Sequence, residues 1–432
     1  MNRIDICFVN DTANTANYPI IQSQENLSKL VINVFNLSIH NLEKEISKIN
    51  SIISLKENST NKIKRINVIF DKKVDSFNIN IILGKLNNVL YSYYPITREI
   101  KLYQVDEASS NYMNEIFKYK DIVMDPNKTP DTYLQYVKSN IPSDYNTNIF
   151  NINESDLFPL TKGVGLGSIH PSYFVHVSPK KYNSNNKNIF LIGKSVTYDT
   201  GGLNLKTRHM EEMKTDMTGS AILISVLKLL NLNKQDDKFN IHLLIPIVEN
   251  MIGNKGVKPG SVIKSSRGKL IEITNTDAEG RLCIVDAIDF IHINLIKNLD
   301  LSKCLIMDVA TLTGNTMQIT SGISSLTMCN SKGLLYLDDL IKIGENIGEY
   351  VDFLKIREAY IDMLKSTVGD IINCNLTEKA GCVMAGAFLD YFIDKKIPWI
   401  HLDLGVCTFI NSKPISYGIN LLYEFILQLN KV

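Results

Sequence analysis

The stretch Asn188-Ile-Phe-Leu-Ile192, closed by Gly193-Lys194, decides the fold of this 432-residue chain. A short apolar run bounded by turn and polar residues is typical of a buried strand. Three further runs of this kind lie at 241–248, 304–309 and 399–404. Helical stretches separate them, at 217–230, 282–296 and 380–393. Apolar strands that alternate with helices predict a mostly parallel central sheet flanked by helices.

Charged residues gather where these predicted strands end. Residues 194–199 follow the first strand, and residues 308–314 finish another. In such sheets ligands bind beyond the carboxyl ends of the strands. We therefore expect the functional site at that edge.

The first 150 residues predict a smaller domain of the same α/β class. Strand-like runs at 66–70 and 79–83 alternate with a helical run at 30–49. Turn residues at 125–130 precede a predicted helix that begins at Asp131. We predict an N-terminal α/β domain over residues 1–155, in which no chemistry is evident, and a second domain over 160–432.

Composition limits the classes of function. The chain has 44% hydrophobic residues and a formal net charge of +1, from 46 basic and 45 acidic residues. This balance argues against a basic nucleic-acid-binding surface spread over the chain. We expect neither a bilayer-spanning helix nor a signal peptide. Seven cysteines at irregular positions, without a CxxC pair, indicate reduced thiols in the cytoplasm.

The octapeptide Asn275-Thr-Asp-Ala-Glu-Gly-Arg-Leu282 concentrates chemistry. In an extended segment the carboxylates of Asp277 and Glu279 point to the same side, and Arg281 follows on that side, where it could hold an anion. Paired carboxylates are what a hard or borderline divalent cation requires. A solvated acidic turn with an arginine counter-charge explains the octapeptide alone equally well.

A second stretch carries further charged residues: Lys194, Asp199, Lys206 and Asp216. Taken one by one, the lysines are typical solvated cations. Asp199 resembles a turn cap, and Asp216 a cap for the helix that follows it. The seven histidines form no paired ligand spacing, so a metal here would be held mainly by oxygen.

With both stretches in view, the chain resembles the leucyl aminopeptidase (cytosol aminopeptidase) family of two-metal exopeptidases. The intact octapeptide is similar to that family's signature. Asp199-Thr-Gly-Gly with its two flanking lysines, Met213-Lys-Thr-Asp216, Asp308-Val-Ala-Thr-Leu-Thr-Gly314 and His401-Leu-Asp-Leu404 also match, in the family's order. The resemblance covers residues 160–432, which it implies to be a catalytic domain.

The resemblance implies a role for each matching residue. The implied metal ligands are Lys194, Asp199, Asp216, Asp277 and Glu279, with Lys194 as a neutral amine. Lys206 would stabilise the oxyanion, and Arg281 would hold a bicarbonate ion that acts as general base. The implied substrate-binding residues are Met213, Thr311, Leu312 and Gly314.

The implied activity is that of a metal-dependent aminopeptidase. It would release N-terminal leucine or other apolar residues from short peptides, with two divalent ions per subunit (Zn, Mn, Mg or Co), as a cytoplasmic homohexamer. Three alternatives stay open. They are a catalytically silent homologue that serves as a binding or structural protein, a nucleic-acid-binding regulator and a two-metal phosphoesterase.

Overall fold

Strands and helices alternate along most of the chain. The structure, a computed structural model, describes residues 106–377, 380–410 and 413–429, and before them residues 3–9, 20–24, 27–33, 42, 44, 46, 65–70, 76–90 and 99–103. The strands are β1 (Arg3–Val9), β2 (Ile20–Gln24), β3 (Leu27–Asn33), β4 (Arg65–Phe70), β5 (Glu99–Tyr103), β6 (Tyr145–Asn151), β7 (Tyr173–Pro179), β8 (Lys187–Gly193), β9 (Ser195–Asp199), β10 (Phe239–Asn250), β11 (Ser261–Lys264), β12 (Leu270–Ile273), β13 (Cys304–Ala310), β14 (Ser325–Cys329), β15 (Val351–Phe353), β16 (Ile371–Ile372), β17 (Trp399–Asp403), β18 (Phe409–Ile410) and β19 (Lys413–Pro414). The α-helices are α1 (Ser76–Leu90), α2 (Glu107–Met124), α3 (Pro130–Asn140), α4 (Pro159–Gly165), α5 (Thr218–Leu232), α6 (Gly280–Phe290), α7 (Thr316–Thr320), α8 (Leu334–Ile347), α9 (Glu358–Asp362), α10 (Gly381–Phe392) and α11 (Ile419–Gln428).

A nine-stranded sheet forms the centre of the larger part of the fold. Its strand order is β15-β14-β17-β13-β8-β10-β7-β6, and β9 pairs with β10 beside that path. The four predicted strands, β8, β10, β13 and β17, are its parallel interior. The α/β class with a mostly parallel central sheet is therefore confirmed.

The interior strands are apolar throughout because both faces of the sheet are covered. Ile189 and Leu191 of β8 pack into one hydrophobic core, and Phe190 and Ile192 pack into another. Successive side chains of a strand point to opposite faces, so this alternation places one core on each side. A strand buried on both faces reads as a continuous apolar run, which is why these strands were predictable.

The described part of the N-terminal region forms a second sheet of five strands, in the order β2-β3-β1-β4-β5. Only β2 runs antiparallel to its neighbour. Side chains of this region, including Ile6, Val68 and Phe70, belong to the same hydrophobic cluster as one face of the large sheet. Strand β6 pairs with β7 in the large sheet. The division into 1–155 and 160–432 stays a prediction.

Two predictions for the N-terminal region are wrong. Residues 79–83 lie in helix α1, not in a strand. The buried residues Ile79, Ile82, Leu83 and Leu86 follow the spacing i, i+3, i+4, i+7 of a helix face, and burial of Ile81 as well hid that period. The helix predicted at 30–49 overlaps strand β3. Residues 30–33 form the end of that strand, so the prediction is wrong for these four residues. Of its remaining residues the structure describes only 42, 44 and 46, which are helical.

One helical stretch, Met210–Leu232, is long and apolar enough for a membrane span by length and composition. Its most apolar window is 83% buried inside the fold. Helix α5 within it packs against β8 and β13. The stretch therefore serves as a core helix of this fold.

Candidate metal centre

Three carboxylates converge at the carboxyl ends of the strands. Asp199 ends β9, and Asp277 and Glu279 lie in the turn between β12 and α6. One oxygen of each lies within 4.8 Å of the others. A hydrogen bond from Ala278 N to Asn275 O (3.3 Å) closes this turn. The segment is thus not extended as expected, because it must turn from strand into helix within a few residues.

Lys194 follows β8 and reaches into this cluster with a side chain that is 3% exposed. Its Nζ lies 2.7 Å from Oδ2 of Asp216 and 2.9 Å from Oε1 of Glu279. It also donates to the carbonyl of Thr311 at 3.1 Å. Lys194 is therefore a buried, paired lysine and not the solvated cation expected for a lysine taken alone.

Two glycines bring Asp216 to Lys194. A Cβ on Gly193 would lie 2.5 Å from Cα of Ser220, and a Cβ on Gly219 would lie 2.1 Å from the carbonyl oxygen of Val309. Only glycine permits so close an approach of α5 to the strand ends. Asp216 makes no side-chain cap for α5, whose N-cap is Met217. Its carboxylate is directed instead toward the cluster.

Lys206 is the second cation of the site. Its Nζ lies 2.8 Å from Oδ2 of Asp199 and also contacts Oδ1 of Asp277. Burial by itself lowers the pKa of Lys206, but Asp199, Glu279 and Asp277 raise it by more, and the net shift is upward. Lys206 is therefore a fixed positive charge.

The charge balance of the site is negative. Four carboxylates (Asp199, Asp216, Asp277 and Glu279) contact two lysine ammonium groups, so full ionisation leaves a net charge of 4 − 2, or two negative charges. Burial, then Glu279 and Asp216, raise the pKa of Asp199 well above its usual value. Close negative charges in a dry site favour protonation unless further cations bind.

Two buried oxygens in this cluster each have a lysine ammonium group as a partner. Oδ2 of Asp216 lies 2.7 Å from Nζ of Lys194, and Oδ1 of Asp277 contacts Nζ of Lys206. Buried anionic oxygens with coordination capacity to spare are suitable ligands for divalent cations. The donor set therefore fits a metal centre.

Arg281 begins helix α6 beside the cluster and is buried, with 5% of the residue exposed. Its Nη1 donates to the carbonyl of Asn373 at 2.7 Å. Its Nε is buried and has no hydrogen-bond partner in the described part of the chain. A buried guanidinium with a free donor is a suitable binding site for an anion.

A family model for the catalytic domain of the cytosol aminopeptidase family matches residues 119–419. The chain belongs to the cytosol aminopeptidase family.

Curated relatives agree with this assignment. The chain is 30% identical over 314 residues to a probable cytosol aminopeptidase of Persephonella marina, covering 71% of this chain and 59% of that protein. It is 38% identical over 256 residues to a probable cytosol aminopeptidase of Protochlamydia amoebophila, and this match covers 56% of this chain and 48% of that protein. It is 33% identical over 265 residues to the chloroplastic leucine aminopeptidase A2 of Solanum lycopersicum, and this match covers 60% of this chain and 44% of that protein. The matches thus span about half the length of these relatives.

A solved structure has a similar fold. The bottromycin maturation enzyme BotP, solved in complex with Mn, superposes with a TM-score of 0.80 at 19% sequence identity. The match covers 99% of each chain. At this identity the likeness concerns the fold alone.

The four residues that family resemblance assigns to substrate lie on two segments of this cytosol aminopeptidase family member. Met213 lies in the 3₁₀ turn Met210–Thr215, and its carbonyl accepts from Asp216 N at 3.3 Å. Thr311 follows β13, and its hydroxyl donates to Oδ1 of Asp216 at 2.8 Å. Leu312 donates its N–H to Oδ1 of Asp403, and Gly314 is exposed. The two segments therefore meet at Asp216.

Three buried residues that support the centre were missed from the sequence. Asn250 ends β10 and donates to Oδ1 of Asp199 at 2.7 Å. Asn373 follows β16 and binds the signature turn. Asp403 ends β17 and accepts from the N–H of Leu312 (3.0 Å) and of Thr313 (3.3 Å). The sequence signal of Asn250 and Asn373 is a polar residue at the end of an apolar strand, and Asp403 lies in the matched stretch 401–404.

Proposed function

We propose that this protein is a metal-dependent aminopeptidase that removes N-terminal residues from short peptides. The observation that carries the proposal is the convergence of Asp199, Asp277 and Glu279 within 4.8 Å at the strand ends of a cytosol aminopeptidase family member. The ion pairs of Lys194 and Lys206 with these carboxylates support it.

Five side chains would hold two divalent ions of the Zn, Mn, Mg or Co class. Asp199 and Glu279 would contact both ions, Asp277 would complete one position, and Asp216 with Lys194 would complete the other. Bound divalent ions supply a hydroxide at neutral pH and polarise the scissile carbonyl. Lys194 must be neutral to serve as a ligand. Burial lowers its pKa, whereas Asp216 and the other carboxylates raise it, and the net shift is upward. Its deprotonation therefore depends on the ions.

Lys206 would stabilise the negative charge that develops on the carbonyl oxygen. Its net upward pKa shift keeps it charged, and its ion pairs with Asp199 and Asp277 fix its position. A preorganised charge of this kind contributes about 3 kcal/mol to transition-state stabilisation. Arg281 would hold a bicarbonate ion as general base, and its buried, unpaired Nε supports an anion at that position.

The substrate's first side chain would lie between the segments that carry Met213 and Thr311, with Leu312 and Gly314 beside it. Met213 and Leu312 make this environment apolar, which favours N-terminal leucine or a similar residue. Among the described residues, no atom lies within 4 Å of a Cβ built on Gly314, which supports space for a side chain at this edge.

We further propose a cytoplasmic homohexamer that binds neither membranes nor nucleic acid. The near-neutral net charge of +1 supports the last point. The alternative functions are a silent homologue that binds peptides without cleaving them, and a phosphoesterase that uses the same carboxylates.

Substrate selectivity tests the proposal. We expect the Mn²⁺-loaded protein to hydrolyse leucine amide, to leave N-acetyl-leucine amide intact because its amine is blocked, and to leave a phosphate monoester intact. Equal cleavage of the blocked amide would contradict exopeptidase action. Cleavage of the phosphate ester alone would identify a phosphoesterase, and no cleavage of any substrate would favour the silent homologue.

A further inference from the structure

Asn373 is fully buried, and its side chain holds the turn that carries the signature. Its Oδ1 accepts hydrogen bonds from Thr274 N (2.9 Å), from the Thr274 hydroxyl (3.1 Å) and from Asn275 N (3.2 Å). Its Nδ2 donates to the carbonyls of Asn275 (2.7 Å) and Ala278 (3.3 Å). Both halves of the amide are thus engaged by one five-residue segment.

The main chain of Asn373 connects the same turn to Arg281. Asn373 N donates to the carbonyl of Glu272 at 2.9 Å, which extends the parallel pairing of β16 with β12. Its carbonyl accepts from Nη1 of Arg281 at 2.7 Å. One residue therefore contacts both the turn that presents the carboxylates and the guanidinium beside it.

We propose that Asn373 is a positioning residue of the metal centre, which fixes the signature carboxylates relative to one another and to Arg281. The Ala278 carbonyl that it binds belongs to the peptide joining Ala278 to Glu279, so this contact holds the segment between the two ligands Asp277 and Glu279. The proposal rests on the metal-binding part of the proposed function.

The turn has a separate tether at Thr276. The Thr276 hydroxyl donates to the carbonyl of Gly201 at 2.7 Å, and Thr276 N donates to Oδ1 of Asn204 at 2.8 Å. These contacts join the signature turn to the loop after Asp199. Asn373 holds the carbonyl of Ala278, and the first turn of α6 holds the carbonyl of Glu279 through Leu282 N and Cys283 N. Loss of the Asn373 amide would therefore loosen the N-terminal side of Glu279 while the rest of the turn stays anchored.

A second buried asparagine offers a matched control. Asn330 is 6% exposed, and its Oδ1 accepts from the N–H of Gly333 (2.8 Å) and of Trp399 (3.2 Å). Its Nδ2 donates to the carbonyl of Ile397 at 2.8 Å. Like Asn373, it binds main-chain groups on both sides of its amide, but its partners lie outside the candidate site. If Asn373 serves only to stabilise the fold, its substitution should have the same effects on stability and metal affinity as substitution of Asn330.

The test compares N373A, N373D and N330A in the full-length chain. Mn²⁺ affinity is measured by electron paramagnetic resonance on chelator-stripped protein, and folding by thermal unfolding. We expect both Asn373 variants to bind Mn²⁺ at least about tenfold more weakly than wild type, the range typical of residues that orient metal ligands. N330A should lose thermal stability and keep wild-type affinity. Affinity within about twofold of wild type in both Asn373 variants would overturn the proposal.

N373D keeps the shape and one acceptor oxygen but replaces the two donated hydrogen bonds by a buried carboxylate. N373A loses the same hydrogen bonds without adding a charge, so an effect shared by both variants reports the hydrogen bonds. If N373A does not fold, Thr274→Val removes the hydroxyl that contacts Oδ1 of Asn373 and the carbonyl of Cys374, and it should lower the affinity by a smaller factor. An unchanged affinity in folded N373D and Thr274→Val would count against the proposal.

Metal binding and hydrolysis separate the two proposals. If wild type binds Mn²⁺ and cleaves no amide, the proposed function fails, and the affinity comparison still decides the role of Asn373. If wild type cleaves leucine amide and N373D equals it in Mn²⁺ affinity and kcat, only the positioning role fails. We expect N373D to lose mainly kcat, because the segment that carries Glu279 would be displaced.

Discussion

The side-chain amide of Asn250 donates to Oδ1 of Asp199 at 2.7 Å and to the carbonyl of Thr276 at 3.1 Å. It therefore joins the two loops that carry the carboxylates, and it orients a ligand that would contact both ions. We expect Asn250→Ala to weaken Mn²⁺ binding by about 10- to 100-fold, because hydrogen bonds to ligating carboxylates fix their orientation.

Asn240 provides the control for this substitution. It lies on the same strand, is fully buried, and donates to the carbonyl of Asn183 (2.8 Å) and to Oδ1 of Asn188 (3.0 Å), away from the site. Asn240→Ala should destabilise the fold and leave the Mn²⁺ affinity unchanged. Equal losses of affinity in the two variants would contradict a specific role of Asn250.

Thr311 makes two contacts of different kinds at the site. Its hydroxyl donates to Oδ1 of Asp216 at 2.8 Å, and its carbonyl accepts from Lys194. Thr311→Val removes only the first, a hydrogen bond to a charged group worth about 1.5–3 kcal/mol. We expect calorimetric Mn²⁺ titration to show an affinity about tenfold lower in this variant, since about 1.4 kcal/mol corresponds to that factor. Thr311→Ser keeps the hydroxyl and should bind Mn²⁺ as wild type does. An equal loss of Mn²⁺ affinity in both variants would argue against a role of the hydroxyl.

Gly280 gives the Lys194 side chain its space. A Cβ at this position would lie 2.6 Å from Cε and 2.9 Å from Nζ of Lys194. We expect Gly280→Ala to fold but to displace that amine, and a displacement of about 1 Å can lower kcat/KM about 100-fold. Gly314→Ala, whose Cβ meets no atom of the described residues within 4 Å, should retain Mn²⁺ binding. A Gly280→Ala variant with wild-type leucine amide hydrolysis would contradict the role of Lys194.

Glu349 gives the fold a pH dependence away from the site. Its Oε2 accepts from the N–H of Gly418 (2.8 Å) and of Leu421 (3.1 Å) at the start of α11. Burial raises the pKa of Glu349 from 4.5 to about 7, although Lys85 and both N–H donors act to lower it. Between these values the folded state binds more protons than the unfolded state, so stability falls as pH rises through this range.

The measurement compares wild type with Glu349→Gln, which cannot ionise. Denaturant unfolding at about pH 5 and about pH 8 should show wild type losing up to about 3 kcal/mol relative to the variant as the pH rises. Parallel pH profiles of the two proteins would show that Glu349 stays ionised throughout.

The large sheet was predictable because burial on both faces makes its strands continuously apolar. The same reasoning failed for α1, where nearly every position of 79–83 is buried and a helix gives the same apolar run as a strand. Periodicity alone cannot separate these two cases in a short window. This ambiguity is the cause of the wrong strand prediction at 79–83.

The sequence singled out the charged residues of the site but not their supports. Lys194 and Asp216 read as a solvated cation and a helix cap when taken singly, and only the close approach at Gly193 and Gly219 reveals their contact. Asn373 lies about 95 residues beyond the turn that it binds, so no local pattern connects them. Hydrogen bonds between distant segments follow from the tertiary structure and leave little trace in one sequence.

The central claim is that the carboxylate cluster is a catalytic metal centre. It is tested most directly by leucine amide hydrolysis with the chelator-stripped chain, with Mn²⁺ or Zn²⁺ added back, beside Asp277→Asn. We predict that hydrolysis returns with the metal in wild type and stays absent in the variant. If the metal binds and wild type cleaves no amide or peptide, the cluster serves another purpose, and the account of this protein as an aminopeptidase is wrong.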